Sequence, residues 1–276
     1  MIPAAFGYQR ATSVEEAVGL LAALPGRVSL LAGGQSLLPA LKNRTRRTEL
    51  VLDIGRLTEL RYIQDRGDHV AIGALTPHAV LAGDDLLARR APLLRAAAAA
   101  IADPQVRHLG TIGGSLVHAD PAADLAVAGL ALAASAVVRG PRGERVLDLD
   151  GFFLDPGVTA IAGDELLVEV RVPAPATPRA WSYQKFHRDA LEWAVVGVAA
   201  VAGTPPRVAL SGMGSTVLRA GAVEAALSTG AGASVAAGHA DEGTDPRADT
   251  RASADYRRHL ARVLVRRALI EIGVRA

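Results

Sequence analysis

Residues 110 to 124 read Gly-Thr-Ile-Gly-Gly-Ser-Leu-Val-His-Ala-Asp-Pro-Ala-Ala-Asp, a glycine pair followed by the start of an apolar segment. Its glycine pair is flanked by the hydroxyls of Thr111 and Ser115. Because glycine has no Cβ, backbone N–H groups at such a turn approach an anion closely, and hydroxyls add further donors. The stretch therefore predicts a glycine-rich turn that binds a diphosphate.

The end of the same stretch predicts a buried helix. Asp120 is a good N-cap, Pro121 suits a first helical position, and the residues from 125 to 138 are apolar. Asp124 lies four residues after Asp120 on the same side of the helix, and a cap does not explain it. One interpretation is a carboxylate that accepts ribose or ribityl hydroxyls; the alternative is a solvated residue in a first helical turn.

A second glycine pair lies near the start of the chain, in Ala32-Gly33-Gly34-Gln35-Ser36. It separates a predicted strand over residues 28–32 from a predicted helix over residues 36–41. With a helix N-terminus behind it, such a turn suits a phosphate. The alternative is a tight strand-to-helix turn that binds nothing.

Familiar catalytic and nucleotide motifs are missing from the sequence. There is no G-x-x-x-x-G-K-[ST] loop, no H-E-x-x-H pair, and no third glycine after Gly212-Met-Gly214 to complete a dinucleotide fingerprint. A helix cap with its neighbours explains His118, Asp120 and Asp124 better than a metal site does. We therefore predict no catalytic side chain and no metal site in this chain.

Composition excludes further classes. The 276 residues contain no cysteine, which excludes disulfides, thiolate zinc sites and iron–sulfur ligation. The net charge is only +2 and the arginines are scattered, so no nucleic-acid surface is predicted. No apolar stretch reaches the ~20 residues that span a bilayer, and the N-terminus does not resemble a secretory signal. These features predict a cytoplasmic protein with no membrane span.

The first part of the chain mixes helices and strands. Residues 1–57 alternate the two, which favours a small parallel α/β unit. Pro173 to Pro178 contains three prolines and is the predicted domain boundary. Between them we predict a hairpin over residues 61–73, an Ala-rich helix over 91–102, the apolar helix over 125–138 with an overlapping strand at 136–139, and strands at 145–149 and 166–172.

Beyond the boundary we predict strands over residues 182–186, 195–201 and 207–212, and helices over 218–227 and 256–272. Residues 228–249, rich in Gly, Ala, Ser and Asp, are predicted to be a surface loop or partly disordered. The arginines of the last helix, among them Arg257, are predicted to form a solvated face. Lys185 ends the first of these strands, either as a solvated lysine or as a cation that faces a ligand held between the domains.

Segments spread along the chain resemble the FAD-binding medium subunit of molybdenum hydroxylases, in particular that of aerobic carbon monoxide dehydrogenase. The resemblance covers nearly the whole chain, and its segments occur in the expected order. They are residues 32–39, 51–60, 105–124, 185–188, 192–200 and 255–260.

This resemblance implies an α+β fold. A PCMH-type FAD-binding domain is expected over residues 1–175, made of two α/β subdomains at about 1–57 and 58–175. A smaller C-terminal domain like that of the carbon monoxide dehydrogenase flavoprotein is expected over residues 176–276, with a three-stranded antiparallel sheet and a helical bundle. FAD is expected in the cleft between the two domains.

The resemblance also implies which residues bind FAD. Asp124 is expected to bind a ribityl or nearby hydroxyl, Lys185 to approach the isoalloxazine, and either Leu167 or Val168 to pack near the ring. The sequence departs mildly from the family at Ser115, where many members have Asn, and at Glu192, where Asp is more usual. The diphosphate is expected on two segments: Ala32, Gly33, Gly34, Gln35 and Ser36, and Thr111, Ile112, Gly113, Gly114 and Ser115.

The implied function is that of an oxidoreductase subunit that transfers electrons. A large molybdopterin-binding subunit is expected to oxidise the substrate, and a small [2Fe-2S] subunit to relay electrons to FAD, which passes them to an external acceptor. The expected assembly is a dimer of heterotrimers. The alternatives are a stand-alone flavin oxidase or dehydrogenase and a redox-silent scaffold that retains the fold.

Overall fold

The structure of the protein is a computed structural model that describes residues 2–189, 191–204 and 206–276. The chain begins with a three-stranded parallel sheet, which we call the N-terminal sheet. Its strand order is β1-β3-β2, as predicted for a small parallel α/β unit. Ser13 caps the first helix by accepting the N–H of Glu16 at 3.1 Å. The elements are β1 (Gly7–Arg10), α1 (Val14–Ala23), β2 (Val28–Leu31), α2 (Leu37–Lys42) and β3 (Leu50–Asp53).

A five-stranded antiparallel sheet, the central sheet, follows. Its order is β4-β5-β10-β6-β7, and the hairpin β8–β9 lies outside it. The strands are β4 (Ile63–Asp65), β5 (His69–Gly73), β6 (Ser135–Gly140), β7 (Gly143–Asp148), β8 (Phe153–Asp155), β9 (Val158–Thr159) and β10 (Leu166–Pro173). The helices are α3 (His78–Gly83), α4 (Asp85–Arg90), α5 (Pro92–Ala99), α6 (Pro104–Leu109), α7 (Ile112–His118) and α8 (Asp124–Ala131).

The apolar helix predicted over residues 125–138 is too long. Helix α8 ends at Ala131, Ala133 adopts a positive φ of 55°, and the chain continues as strand β6. The overlapping strand prediction was therefore correct. Every residue of α8 is buried, so the uniformly apolar sequence carries no periodic signal to mark where the helix stops.

The C-terminal sheet has four antiparallel strands in sequential order rather than the three expected. The additional strand, β14, lies within residues predicted as a helix, and helix α10 lies within residues 228–249, predicted as a loop. The strands are β11 (Trp181–Phe186), β12 (Val196–Val201), β13 (Arg207–Ser211) and β14 (Leu218–Arg219). The helices are α9 (Gly221–Ser228), α10 (Ala233–Gly238) and α11 (Ala254–Glu271).

Strand β11 presents its two faces to different neighbours. Ser182 and Gln184 donate to the carboxylate of Glu271, at the end of α11, at 2.5 and 2.8 Å. Tyr183 and Lys185 alternate with them and reach Asp124, the first residue of α8. The C-terminal sheet is thus bonded to the last helix on one face and to helix α8 on the other.

Asp249 and Arg257 order the segment that precedes α11. The Asp249 carboxylate accepts the backbone N–H groups of Arg251 and Ala252 at 2.9 and 3.0 Å, and the Arg257 guanidinium at 2.8 Å. Arg257 is buried and also donates to the carbonyl oxygen of Val195. Arg257 is therefore not on a solvated face, and these bonds connect the supposed loop to the sheet and to α11.

Replacing Asp249 with Asn is expected to lower stability at neutral pH and to have no effect in acid. Burial would raise the pKa of Asp249, but the two N–H donors and the arginines outweigh it and lower the pKa to about 2. A carboxyl group whose folded pKa lies below its unfolded value, about 3.9, contributes stability above that value and loses it as the pH falls toward 2. The difference in thermal midpoint between wild type and Asp249→Asn should be constant down to about pH 5 and shrink below about pH 4.

The matched control is Asp155→Asn, because Asp155 is exposed and its side chain has no hydrogen-bond partner among the described residues. It should leave the midpoint unchanged at all pH values. A difference for Asp249→Asn that is independent of pH would contradict the prediction.

Candidate functional site

The two glycine segments meet in space. A Cβ on Gly33 would overlap the carbonyl group of Leu109 and lie 2.9 Å from the Cα of Gly110. Only glycine permits this approach, because every other residue would push the segments apart. The strand-to-helix turn after β2 is therefore held directly against the segment that leads into α7.

The first segment presents free backbone donors. Within the described ranges, no backbone or side-chain acceptor takes the N–H groups of residues 32–36. Gln35 donates its side-chain amide to the carbonyl oxygen of Gly33 at 3.2 Å, and Gly34 has a φ of +73°. All five residues are partly exposed. A concave turn with several unpaired N–H groups is suited to phosphate oxygens.

The second segment differs from the turn predicted. Thr111 caps helix α7 by accepting the N–H of Gly114 at 3.2 Å, so the glycine pair lies in the first helical turn. The N–H of Ile112 donates to Thr76 at 3.1 Å, and that of Gly113 donates to Ala74 at 2.8 Å. The amides of Ile112 and Gly113 are therefore engaged within the protein, whereas that of Thr111 has no acceptor among the described residues.

The glycine at position 113 has a packing reason. A Cβ there would lie 2.7 Å from the carbonyl oxygen of Ala74, so glycine lets α7 approach the chain after β5. The donors that this segment leaves unpaired are the backbone N–H of Thr111 and the hydroxyls of Thr111, which is buried, and Ser115, which is partly exposed. The two glycine segments thus differ in the donors they present: mainly amides in the first and mainly hydroxyls in the second.

His78, which the sequence analysis did not single out, supports the same segment. Its backbone N–H donates to the carbonyl oxygen of Gly110 at 2.9 Å, and its ring lies where a Cβ of Gly110 would be. Burial, with a smaller effect from Arg107, lowers the pKa of His78 to about 4. The ring is therefore neutral at pH 7. An isolated histidine in an Ala-rich region gave no sequence signal of this role.

The structure contradicts two interpretations, that of Asp120 as a helix cap and that of Asp124 as a solvated residue. Asp120 is not the N-cap of α8; it accepts the N–H of Ala122 at 2.8 Å in the turn before the helix. Asp124 is the first helical residue, and with 3% exposure it is not solvated. A buried carboxylate requires partners, and Asp124 has two on strand β11.

Those partners are Tyr183 and Lys185. The Tyr183 hydroxyl donates to Oδ1 of Asp124, and the Lys185 ammonium donates to Oδ2 at 3.0 Å. Lys185 also donates to the carbonyl oxygen of Ala100 at 2.9 Å, and its side chain is only 7% exposed. The interpretation of Lys185 as a solvated lysine is therefore wrong. Tyr183 was missed, although its i, i+2 spacing from Lys185 places both on one face of a strand.

Two helix ends favour this ion pair. Asp124 lies at the N-terminus of α8, where the helix dipole favours an anion. Ala100, the C-cap of α5, directs its carbonyl oxygen at the Lys185 cation. Burial raises the pKa of Asp124, whereas Lys185 and Tyr183 act in the opposite direction. Burial and the Asp124 charge raise the pKa of Tyr183 well above its usual value, so its hydroxyl keeps its proton.

Leu167 and Val168 lie on opposite faces of the central sheet, next to an irregularity in the pairing of β10 with β6. Leu167 packs in the core that contains residues of α5, α7 and α8. Val168 packs with α1 and lines a separate cavity of about 350 Å³. Of the two residues, Leu167 is therefore the one on the side of Asp124.

The same described ranges hold no group of three His, Asp or Glu side chains arranged to bind a metal ion. None of their helices is both long enough and apolar enough to cross a membrane.

Comparison with known proteins identifies both parts of the chain. Residues 4–175 match the FAD binding domain in molybdopterin dehydrogenase, and residues 181–272 match the CO dehydrogenase flavoprotein C-terminal domain. The chain is 40% identical to the carbon monoxide dehydrogenase medium chain of Hydrogenophaga pseudoflava, over 98% of this chain and 97% of that one. It is 38% identical to the 6-hydroxypseudooxynicotine dehydrogenase complex subunit alpha of Paenarthrobacter nicotinovorans, over 100% and 97% of the two chains.

A solved structure shows the same fold. Carbon monoxide dehydrogenase from Hydrogenophaga pseudoflava, lacking the Mo-pyranopterin moiety of its cofactor, contains a chain that superposes with a TM-score of 0.94. The match has 42% sequence identity and covers 99% of this chain and 98% of that one. The chain therefore belongs to the family of FAD-binding medium subunits of molybdenum hydroxylases.

Proposed function

We propose that this oxidoreductase subunit receives electrons from the iron–sulfur clusters of a small partner subunit and passes them from FAD to an external acceptor. The chain contains no cysteine to hold clusters of its own. Its relatives align over nearly their full length and are subunits of dehydrogenases. A large molybdopterin-binding subunit completes the proposed complex, in a dimer of heterotrimers.

The observation that carries the proposal is the free set of amides in the first glycine segment. FAD carries a diphosphate, and residues 32–36 offer unpaired N–H groups beside the hydroxyls of Thr111 and Ser115. The close approach of Gly33 to Gly110 fixes the distance between these two groups of donors. The residues present therefore fit the diphosphate, although they divide its contacts differently from the sequence expectation.

The buried cluster on α8 and β11 fits the flavin end of the cofactor. We assign Asp124 to a ribityl or nearby hydroxyl, Lys185 to the isoalloxazine, and Leu167 rather than Val168 to the ring. Lys185 has three N–H donors, of which two are used by Ala100 and Asp124. One donor is left for the flavin. Asp124 accepts one bond on each oxygen and has further lone pairs for a hydroxyl.

Bound FAD supplies the redox chemistry, and the chain binds, orients and tunes it. The amides of residues 32–36 offset the diphosphate charge. Lys185 stabilises the negative charge that the flavin gains on reduction, because a cation in a buried site is poorly screened by water. Asp124 in turn keeps Lys185 charged and in place.

The substrate of the complex is a property of the proposed large subunit. The two relatives are named as dehydrogenases with different substrates, carbon monoxide and 6-hydroxypseudooxynicotine. Carbon monoxide, an aldehyde and an N-heterocycle all suit the same medium subunit. The fold of this chain therefore supports the class of reaction and not a particular substrate.

The function is tested by isolating the tagged chain from its source with the subunits bound to it. A large molybdopterin-binding and a small [2Fe-2S] subunit should copurify, and the oxidised flavin absorption should bleach when the complex is given its substrate without an acceptor. Turnover by the chain alone would favour a stand-alone flavin oxidase or dehydrogenase. A complex that contains both partner subunits but no flavin would favour a redox-silent scaffold.

Replacing Gly33 with Ala is expected to lower FAD affinity by about tenfold or more, equivalent to at least about 1.4 kcal/mol. The added methyl group meets the backbone of Leu109 and separates the donors that hold the diphosphate. The measurement is a titration of FAD into the flavin-depleted protein. Gly19→Ala in α1 is the control, because a Cβ there meets nothing within 4 Å. Equal affinities of the two variants would contradict this assignment of the diphosphate.

Replacing Lys185 with Met is expected to lower the midpoint potential of the bound flavin by roughly 30 mV or more, since 30 mV corresponds to about 1.4 kcal/mol for a two-electron couple. Loss of the cation removes its stabilisation of the reduced form. The sequence contains only one other lysine, the exposed Lys42, so Lys42→Met is a matched control. Lys185→Arg keeps the charge and should retain most of the potential. An unchanged potential in Lys185→Met would exclude the proposed electrostatic role.

A further inference from the structure

We propose that Tyr183 is a positioning residue of the FAD site: its hydroxyl fixes the Asp124 carboxylate and, through it, the Lys185 ammonium. The inference rests on the FAD contacts proposed above for Asp124 and Lys185. It adds a residue for which neither the family pattern nor the composition gave a signal. It is carried by the hydrogen-bond geometry around Asp124.

The Asp124 carboxylate is held at both oxygens. Oδ1 accepts the Tyr183 hydroxyl and Oδ2 accepts Lys185 at 3.0 Å, so the plane of the carboxylate is fixed by two bonds that approach from one strand. With Lys185 as its one partner, the carboxylate can rotate about χ2, because the distribution of this torsion angle in aspartate is broad. Tyr183 therefore converts a single ion pair into an oriented one.

The energetics favour the same role. Asp124 and Lys185 are almost fully buried, and a buried ion pair is stabilising only when further hydrogen bonds satisfy its remaining atoms. Burial and the Asp124 charge raise the pKa of Tyr183 well above its usual value, so the hydroxyl remains a donor throughout the neutral range. Removing this donor leaves Asp124 easier to protonate, and a protonated Asp124 no longer balances Lys185.

The other face of β11 holds these residues in place. Ser182 and Gln184 are bonded to Glu271, which fixes the rotation of the strand about its axis. Tyr183 and Lys185 consequently point to α8 together. The charged and titratable groups that act on Asp124 are Tyr183 and Lys185 on β11 and His187 just beyond the strand.

The test compares Tyr183→Phe with Tyr62→Phe. Both substitutions delete one hydroxyl that donates to a carboxylate, since Tyr62 donates to Glu169 at 2.7 Å in the central sheet. FAD is removed and titrated back into the protein, as the chain or complex in which it is purified, across a series of pH values. Tyr183→Phe should weaken FAD binding about five- to tenfold at neutral pH, the order expected for a hydrogen bond to a charged group.

The pH profile separates positioning from packing. In wild type and in Tyr62→Phe, affinity should vary little across the neutral range. In Tyr183→Phe it should fall further as the pH is lowered, because Asp124 now takes up a proton. The series is repeated with His187→Gln added to wild type and to Tyr183→Phe. The additional loss of FAD affinity that Tyr183→Phe shows at low pH should persist without the histidine.

Two results would overturn the inference. One is an unchanged FAD affinity in Tyr183→Phe, and the other is a loss of the same size at every pH, which would show that the ring only packs. A wild-type complex that binds FAD but does not pass electrons through it would overturn the proposed function and leave this comparison of affinities intact.

Discussion

The ion pair between Asp124 and Lys185 is the constraint around which the molecule is organised. Its members belong to different domains, and neither is stable in a buried position without the other. The N-terminus of α8 favours the anion, and the carbonyl oxygen of Ala100, the C-cap of α5, accepts a hydrogen bond from the cation. This ion pair therefore joins the ends of two helices, connects the two domains and lies at the proposed flavin end of the site.

The glycine segments impose the second constraint, which is steric rather than electrostatic. Gly33 lets the turn after β2 touch the chain at Gly110, and Gly113 lets α7 touch the chain at Ala74. These contacts join the N-terminal sheet, the helical layer and the central sheet at one place. The unpaired amides of residues 32–36 lie in the turn that this contact holds in place.

The sequence was sufficient for the features that depend on local pattern. The hairpin of β4 and β5 and the strand at β6 follow from alternation and turn residues, whereas the α+β class was implied by the family resemblance. It was insufficient where the outcome depends on residues distant in the chain. Nothing near Gly113 shows that Ala74 takes its amide, and nothing near Lys185 shows that Ala100 and Asp124 surround its ammonium. The uniformly apolar sequence of α8 also gave no signal of where the helix ends.

The opposed faces of β11 have a consequence for the exchange of C-terminal domains between related subunits. Inserting or deleting a single residue between Tyr183 and Gln184 would reverse the facing of one part of the strand relative to the other, so that Tyr183 and Lys185 could not both face α8. Asp124 would then lose one of its two partners on β11. Chimeric subunits should therefore be joined within residues 174–180, where a change of length leaves the register of the strand intact.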